Sequence, residues 1–262
     1  MNLINDVSDT ISFLNGDESN VSRIYPMTNE NIFALYHDIN FTGKDVLSVA
    51  GSGDHAFFAY LKGANKVDIF DKNKITIYYY YLRLWVMKYL DSFYMYPYPC
   101  SYIISKLLDK VDVEWDDEVI AFDFWNKVLN SVDANFFDSL FYGVATYFDM
   151  DYDQISELVE IHNNKKINFY NVDMATDVNL SKKYDIIVTS NIADWIRDFG
   201  GNMELYRDNL DKLLNVNGIV LCSNVLESCV NSYEKCIFEE KFTHHSLDGH
   251  FMKSPGYYYT RK

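Results

Sequence analysis

The sequence predicts an α/β protein, with a doubly wound, mostly parallel sheet and a helical insert. Three observations carry this expectation. Short β-rich apolar runs recur without in/out alternation: "DVLSVA" (45–50), "KVDIF" (66–70), "YDIIVTS" (184–190) and "GIVLCSN" (218–224). Such runs mark strands buried on both faces. Helix-like segments separate them, and alternating strands and helices build a parallel sheet with helices on both sides. With 262 residues, 48% of them hydrophobic, the chain can bury a core of one large domain, 1–262, carrying an insert over about 73–168.

Along the chain, residues 1–27 read as polar and irregular. Thr28 is a plausible N-cap for a helix over "NENIFALYHDI". "DVLSVA" is the first strand, "DHAFFAYLK" (54–62) a helix stopped by Gly63, and "KVDIF" the second strand. The insert opens with "ITIYYYYLRLWVMKYL", apolar or aromatic almost all round, so its helix must be covered on several sides. Pro97 and Pro99 break that pattern; "SYIISKLLDKV" and "VIAFDFWNKVLNSV" read as further helices. "INFYNVD" (167–173) is a candidate third strand, "YDIIVTS" the fourth, and a helix over about 202–215 leads through a turn at Gly218 into the last.

The glycines after the first strand and the acid after the second are the chemical signal. A ligand crossing a strand end needs close backbone, which Gly51 and Gly53 permit, with Ala50 and Ser52 the next smallest residues. The helix beginning at Asp54 turns its free N–H groups to the same space. Asp71 ends the second strand, where a carboxylate can accept both hydroxyls of a ribose. Loop and acid together predict a nucleoside grip. Asp173 and Met174, ending the third strand, suit an adenine: a carboxylate for the exocyclic amine and a thioether for the ring face. Asn191 ends the fourth strand near the reacting end of such a ligand, and Tyr25 is placed to close over it.

Several function classes are excluded or disfavoured. A formal net charge of −15, with no Lys/Arg run, argues against a nucleic-acid binder. "MNLINDVSDT" lacks the basic and apolar regions of a secretory signal. The apolar stretch 75–90 is short and interrupted by Arg83 and Lys88, so no transmembrane segment is expected and the protein reads as cytoplasmic. Cys100, Cys222, Cys229 and Cys236 form no CxxC pair, and His244, His245 and His250 have no nearby acid or thiol pair, so no metal site is expected. "GSGDHA" also satisfies the dinucleotide pattern G-x-G-x-x-G/A, so NAD is weighed. Of the Tyr-x-x-x-Lys pairs a short-chain dehydrogenase uses, Tyr102/Lys106 falls in the insert and Tyr258/Lys262 at the chain terminus.

In order, these motifs resemble the class I S-adenosyl-L-methionine-dependent methyltransferases, a Rossmann-like fold, over roughly residues 25–262. Within that fold, "SVAGSGD", "IFDKN" and "ADW" around a long helical insert are similar to bacterial diacylglycerol 3-amino-3-carboxypropyl transferases, the betaine-lipid synthases. The resemblance implies that loop 50–53 lies along the methionine part of the cofactor. Asp71, with Lys72 beside it, would bind ribose, and Asp173 and Met174 would hold adenine. The usual methyltransferase loop has an acid before it and glycines at alternate positions. Here Ser48 stands at the acid's position, and Ala50, Ser52 and Asp54 at those glycine positions. That departure fits an enzyme that places the aminocarboxypropyl arm differently.

A sulfonium activates three carbons, so methyl transfer and 3-amino-3-carboxypropyl transfer both stand, differing in which carbon an acceptor meets. Catalysis is then mostly proximity and orientation. A base is needed only if the acceptor carries a proton to lose, and Asp194, just beyond Asn191, is the candidate, against a plain helix N-cap before "WIRDF". The acceptor is an unknown small molecule or lipid. At least one of the tyrosines at 78–81 is expected to face the sulfonium. A third reading, of another class, is a protein that binds the nucleoside cofactor without turnover.

Overall fold

Valine, isoleucine and leucine runs with no polar alternation form strands only where both faces are covered, and the central strands meet that condition. In β1 (Asp45–Val49), Val46, Leu47 and Ser48 are fully buried, as are Val67, Asp68 and Ile69 in β2 (Lys66–Asp71). With β3 (Phe169–Asn171), β4 (Tyr184–Ser190), β5 (Leu214–Ser223), β6 (Phe242–Leu247) and β7 (Gly256–Arg261), they form a seven-stranded sheet of order β3-β2-β1-β4-β5-β7-β6. Strands β3, β2, β1, β4 and β5 run parallel; β7 pairs antiparallel with both β5 and β6. The fold is therefore mixed α/β, mostly parallel and Rossmann-like, as expected. The strand order reverses around β1 and β4, and in open parallel sheets a ligand crevice lies at the carboxyl ends beside such a reversal.

The computed structural model describes residues 2–28, 30–90, 101–113, 116–141, 150–223, 241–247 and 256–261. Pro97, Pro99, Cys100, Cys229, Cys236 and His250 lie outside them. The chain divides into two compact units. A helical unit comprises Met1–Asn29, Ala50–Asp54 and Asn73–Lys166; a sheet unit comprises Glu30–Val49, His55–Lys72 and Ile167–Lys262.

The helical unit contains α1 (Leu3–Asn15) and, within the insert, α4 (Thr76–Leu90), α5 (Ser101–Leu108), α6 (Asp116–Ser131), α7 (Ala134–Asp138) and α8 (Tyr152–Asn164). The first of these corrects the expectation of an irregular start. Leu3, Val7, Ile11 and Leu14 recur at helical spacing. Gly16, at φ +84°, closes the helix as its N–H and that of Asp17 bond back to Phe13 and Ser12. Helix α4 is buried continuously from Thr76 to Met87, as an all-round apolar helix must be. Its tyrosines fan over different faces. Tyr78 stacks on Phe124 at 4.0 Å, and its hydroxyl donates to Asp6 at 2.6 Å. The Tyr79 hydroxyl donates to the Pro26 carbonyl, and Tyr80 bonds His162 Nε2.

The sheet unit adds α2 (Ile32–Leu35), α9 (Ile192–Asp198) and α10 (Met203–Leu213), together with α3 (Asp54–Leu61), all of which except Asp54 belongs to this unit. Phe58 of α3 packs edge-on against Phe33 and Phe41. Gly63, at φ +83°, ends α3 as expected, with Ala64 N bonding Ala59 O. The helix expected over 29–39 shrinks to the four residues of α2. Glu30 and Tyr36 turn their side chains to His55 instead of continuing a surface helix, and Ile39 N closes a turn on Tyr36 O. Strand β5 starts earlier than expected, at Leu214, and the left-handed residue is Asn217 (φ +65°), not Gly218. The antiparallel pair β6–β7 was not anticipated.

Candidate functional site

Because β1 to β5 are parallel, their carboxyl ends share one edge of the sheet unit, and the register fixes which residues stand there. Val49 pairs with Phe70, Asp71 with Asn171, and Ser190 with Cys222. Asp71 ends β2 half-buried, as its strand-end position required. Asn171 tightens this end of the sheet: its amide donates to the carbonyls of Asp71 (2.9 Å) and Lys72 (3.0 Å), while Val172 N bonds Asp71 O.

Just beyond β3 the chain makes an Asx-type turn. Asp173 Oδ1 accepts from Ala175 N at 2.9 Å, and its carbonyl accepts from Thr176 N and Oγ1. Asn209 of α10, buried, pins this turn by donating to the carbonyls of Met174 (2.9 Å) and Thr176 (2.6 Å). Met174, expected against an adenine ring face, packs inward. It is 2% exposed, in the core with Leu47, Phe70 and Leu210. A methionine at a strand end carries no local sign of which way it will turn.

At the end of β4, Ser190 has φ +52°, a left-handed conformation unusual for a residue with a side chain. Its hydroxyl donates to Glu30 Oε1 at 2.5 Å and stands 3.3 Å from Asn191 Oδ1. Glu30 Oε2 lies 3.2 Å from His55 Nε2, and His55 Nδ1 lies 3.2 Å from the Tyr36 hydroxyl. Glu30 and His55 are 6% and 5% exposed. Burial by itself would raise the Glu30 carboxyl, but the charge of His55 and the polar side chains around it, with the Ser190 hydroxyl bonded to Oε1, outweigh it and hold the group below its ordinary value. Burial and the Glu30 charge push the Tyr36 hydroxyl well up, and burial pushes the Cys222 thiol up to about 12. Glu30 sits in a polar segment whose sequence gives no sign of a buried acid.

Asn191 occupies the cap position of α9 without a side-chain cap bond, and Asp194 is the third residue of that helix. This corrects the N-cap reading of Asp194. Its carboxylate is buried and paired with Arg197 at 3.3 Å, one turn along.

In the helical unit, Gly51 and Gly53 have φ +45° and +87°, conformations that call for glycine. A Cβ on Gly51 would meet no described atom within 4 Å, so backbone conformation rather than crowding within the chain sets the requirement there. Ala50 O accepts from Gly53 N, closing the loop tightly. Ser52 Oγ donates to Asp54 Oδ2 at 2.8 Å, and so does Thr28 N at 2.6 Å. Arg83, read from sequence only as an interruption of an apolar run, is 1% exposed. It bonds Asp54 Oδ1 (2.9 Å) and the carbonyls of Pro26 (2.7 Å) and Ser52 (3.2 Å). Tyr25 is 38% exposed.

Among the described residues no three His, Cys, Asp or Glu side chains gather as metal ligands would. No helix among them is long and apolar enough to cross a membrane. The sequence matches no family model and no curated protein. Solved structures do resemble it. A ribosomal protein L11 methylase from Lactobacillus delbrueckii subsp. bulgaricus is 15% identical with a TM-score of 0.45, over 88% of this chain and 76% of that one. A TehB-like SAM-dependent methyltransferase from Corynebacterium glutamicum is 12% identical with a TM-score of 0.45, over 96% and 93% of the two chains. The N-methyltransferase NodS from Bradyrhizobium japonicum, solved with S-adenosyl-L-homocysteine, is 8% identical with a TM-score of 0.43, over 88% and 83%.

Proposed function

We propose that the chain is an S-adenosyl-L-methionine-dependent transferase, with methyl transfer the leading reaction. The observation that carries this reading is the strand-end acid: Asp71 stands half-buried at the carboxyl end of β2, beside β1. A carboxylate so placed accepts a ribose diol, and the sheet reverses its strand order at β1 and β4, where such a ligand belongs. The neighbouring turn at Asp173 offers a preformed polar edge for adenine, held in place by Asn209. Lys72 extends the ribose side. Met174, buried beside this turn, is kept for the adenine ring face on the sequence resemblance alone.

The cofactor supplies a carbon activated on a sulfonium. The chain's own work is to bind it, orient it and exclude water, which is how proximity lowers the barrier. The glycine loop Ala50, Gly51, Ser52 and Gly53 is assigned to the cofactor's methionine portion on the sequence resemblance alone, and Tyr25 is kept as a covering residue on the same ground. Asn191 is assigned to the reacting end. Asp194 is kept as the group that receives an acceptor proton, although its pairing with Arg197 makes a positioning role an equal use of the carboxylate. The acceptor is a small molecule or lipid; 3-amino-3-carboxypropyl transfer is the second reading, favoured by the departures at Ser48, Ala50, Ser52 and Asp54.

Thermal denaturation with S-adenosyl-L-methionine, S-adenosyl-L-homocysteine and NAD tests the reading, because a ligand that binds only the folded state raises its midpoint. The adenosyl ligands should raise it more than NAD at equal concentration. A larger shift with NAD, or none with the adenosyl ligands, overturns the assignment. By-product analysis then separates the chemistries: S-adenosylhomocysteine marks methyl transfer and methylthioadenosine marks aminocarboxypropyl transfer.

A further inference from the structure

A serine in a left-handed conformation at the end of a buried parallel strand has to be held there, since the conformation is unfavourable for any residue with a Cβ. Ser190 is such a residue, and its hydroxyl is held by Glu30 across 160 positions of sequence. Glu30 is itself fixed from behind by His55, and His55 by Tyr36, all three buried in the sheet unit. Ser223, at the carboxyl end of β5, is buried in the same unit. On its other side Ser190 Oγ stands 3.3 Å from the Asn191 amide oxygen. The line of polar contacts therefore runs Tyr36, His55, Glu30, Ser190, Asn191.

We infer that Glu30 is a positioning residue: it locks Ser190 in its left-handed conformation and thereby sets Asn191 at the carboxyl end of β4 for the adenosyl ligand. The second half of this statement rests on the proposed function; the first does not. Glu30 is too enclosed to touch a ligand, so it acts through Ser190. If the network were only structural, its loss would lower stability throughout the sheet unit and leave the folded protein's β4 end unchanged.

Two measurements separate these roles: native-state hydrogen exchange, and calorimetric titration with S-adenosyl-L-homocysteine. The variants are Glu30→Gln, which keeps an acceptor for Ser190 but removes the charge facing His55, and Ser190→Ala, which removes only the hydroxyl of a half-buried residue and keeps the Glu30–His55 pair. The second variant serves if the first does not fold. Exchange at residues 190–194 should quicken about tenfold, the effect of one lost hydrogen bond to a charged group, while β1 amides keep their wild-type protection. Affinity for S-adenosyl-L-homocysteine should fall about tenfold with it. Wild-type exchange at 190–194 in a folded Ser190→Ala variant overturns the positioning role. Quickened exchange with unchanged affinity overturns the ligand half. If the wild-type protein binds no S-adenosyl-L-homocysteine, the proposed function fails, and the exchange data still decide whether Glu30 sets the β4 end.

Discussion

Replacing Arg83 by Met should destabilise the helical unit by about 3 kcal/mol, near the lower end of the ~3–5 kcal/mol range for breaking a buried ion pair from one side. Methionine keeps most of the apolar stem and removes the guanidinium, which is 1% exposed and faces a fully buried Asp54. Burial would lower the guanidinium's affinity for its proton, but the Asp54 charge outweighs that and holds it above its ordinary value. After the change Asp54 keeps two donors on Oδ2, Thr28 N and Ser52 Oγ, and loses the one on Oδ1. The Pro26 and Ser52 carbonyls lose a charged donor, although Pro26 O retains the Tyr79 hydroxyl. Those remaining bonds place the cost at the lower end. Adding Asp54→Asn removes the stranded charge, so the double variant should recover at least about 1 kcal/mol, a coupling that a double-mutant cycle reads directly. Urea unfolding followed by far-UV circular dichroism, with hydrogen exchange at Thr28 and Gly53 as a local probe, makes the measurement. A cost below about 1 kcal/mol for Arg83→Met, the value of an exposed pair, would refute the reasoning.

Asp71→Ala should weaken S-adenosyl-L-homocysteine binding by about 1–3 kcal/mol with little loss of stability, since a strand-end side chain adds little packing; unchanged affinity in calorimetry removes Asp71 from the site. Gly51→Ala should cost about 1 kcal/mol from backbone strain at φ +45°, with no steric part because no described atom lies within 4 Å of the added carbon; a cost several times larger in chemical denaturation would show crowding instead. Burial lowers His162 to about 4, and the Tyr80 hydroxyl and Leu158 carbonyl bond its two nitrogens. Its folded value lies below its unfolded one, so the unfolded chain takes up the proton first. Stability should fall as pH drops from about 6.5 toward about 4, and His162→Gln should remove that slope in its upper half, where carboxylates do not yet titrate; an unchanged slope by urea unfolding between pH 6.5 and 5 counts against it. Glu30, held below its ordinary value, should stabilise fully above about pH 4.5 and lose that contribution at lower pH; a Glu30→Gln variant with the wild-type acid limb would contradict this.

What could be read from the residues alone was whatever burial or backbone geometry writes locally. Strands β1, β2 and β4 were legible because burial on both faces leaves an unbroken apolar run, and the ends of β1 and β2 could be placed to within a residue. Gly63 was legible as a helix stop; Gly51 and Gly53 were read for close backbone approach, and the structure adds that both hold a positive φ; Asp71 was legible because a lone acid after such a run has to lie at a strand end. The stripe Leu3, Val7, Ile11, Leu14 is masked by its polar neighbours. Partnerships across long stretches of chain left no such mark. Arg83 and Asp54 are 29 positions apart, Asn209 and Met174 are 35, and Glu30 and Ser190 are 160, and each residue type is ordinary on a surface. Their burial became favourable only when the fold brought donor and acceptor together, because a polar group leaves water at a net cost unless its partner is already in place. The same cause shortened α2, where Glu30 and Tyr36 turned inward to His55. The pairing of β7 with β5 and β6 was likewise settled by the sheet: strand identity is written in a run of side chains, but which edge it joins, and in which direction, is set by the strand already there.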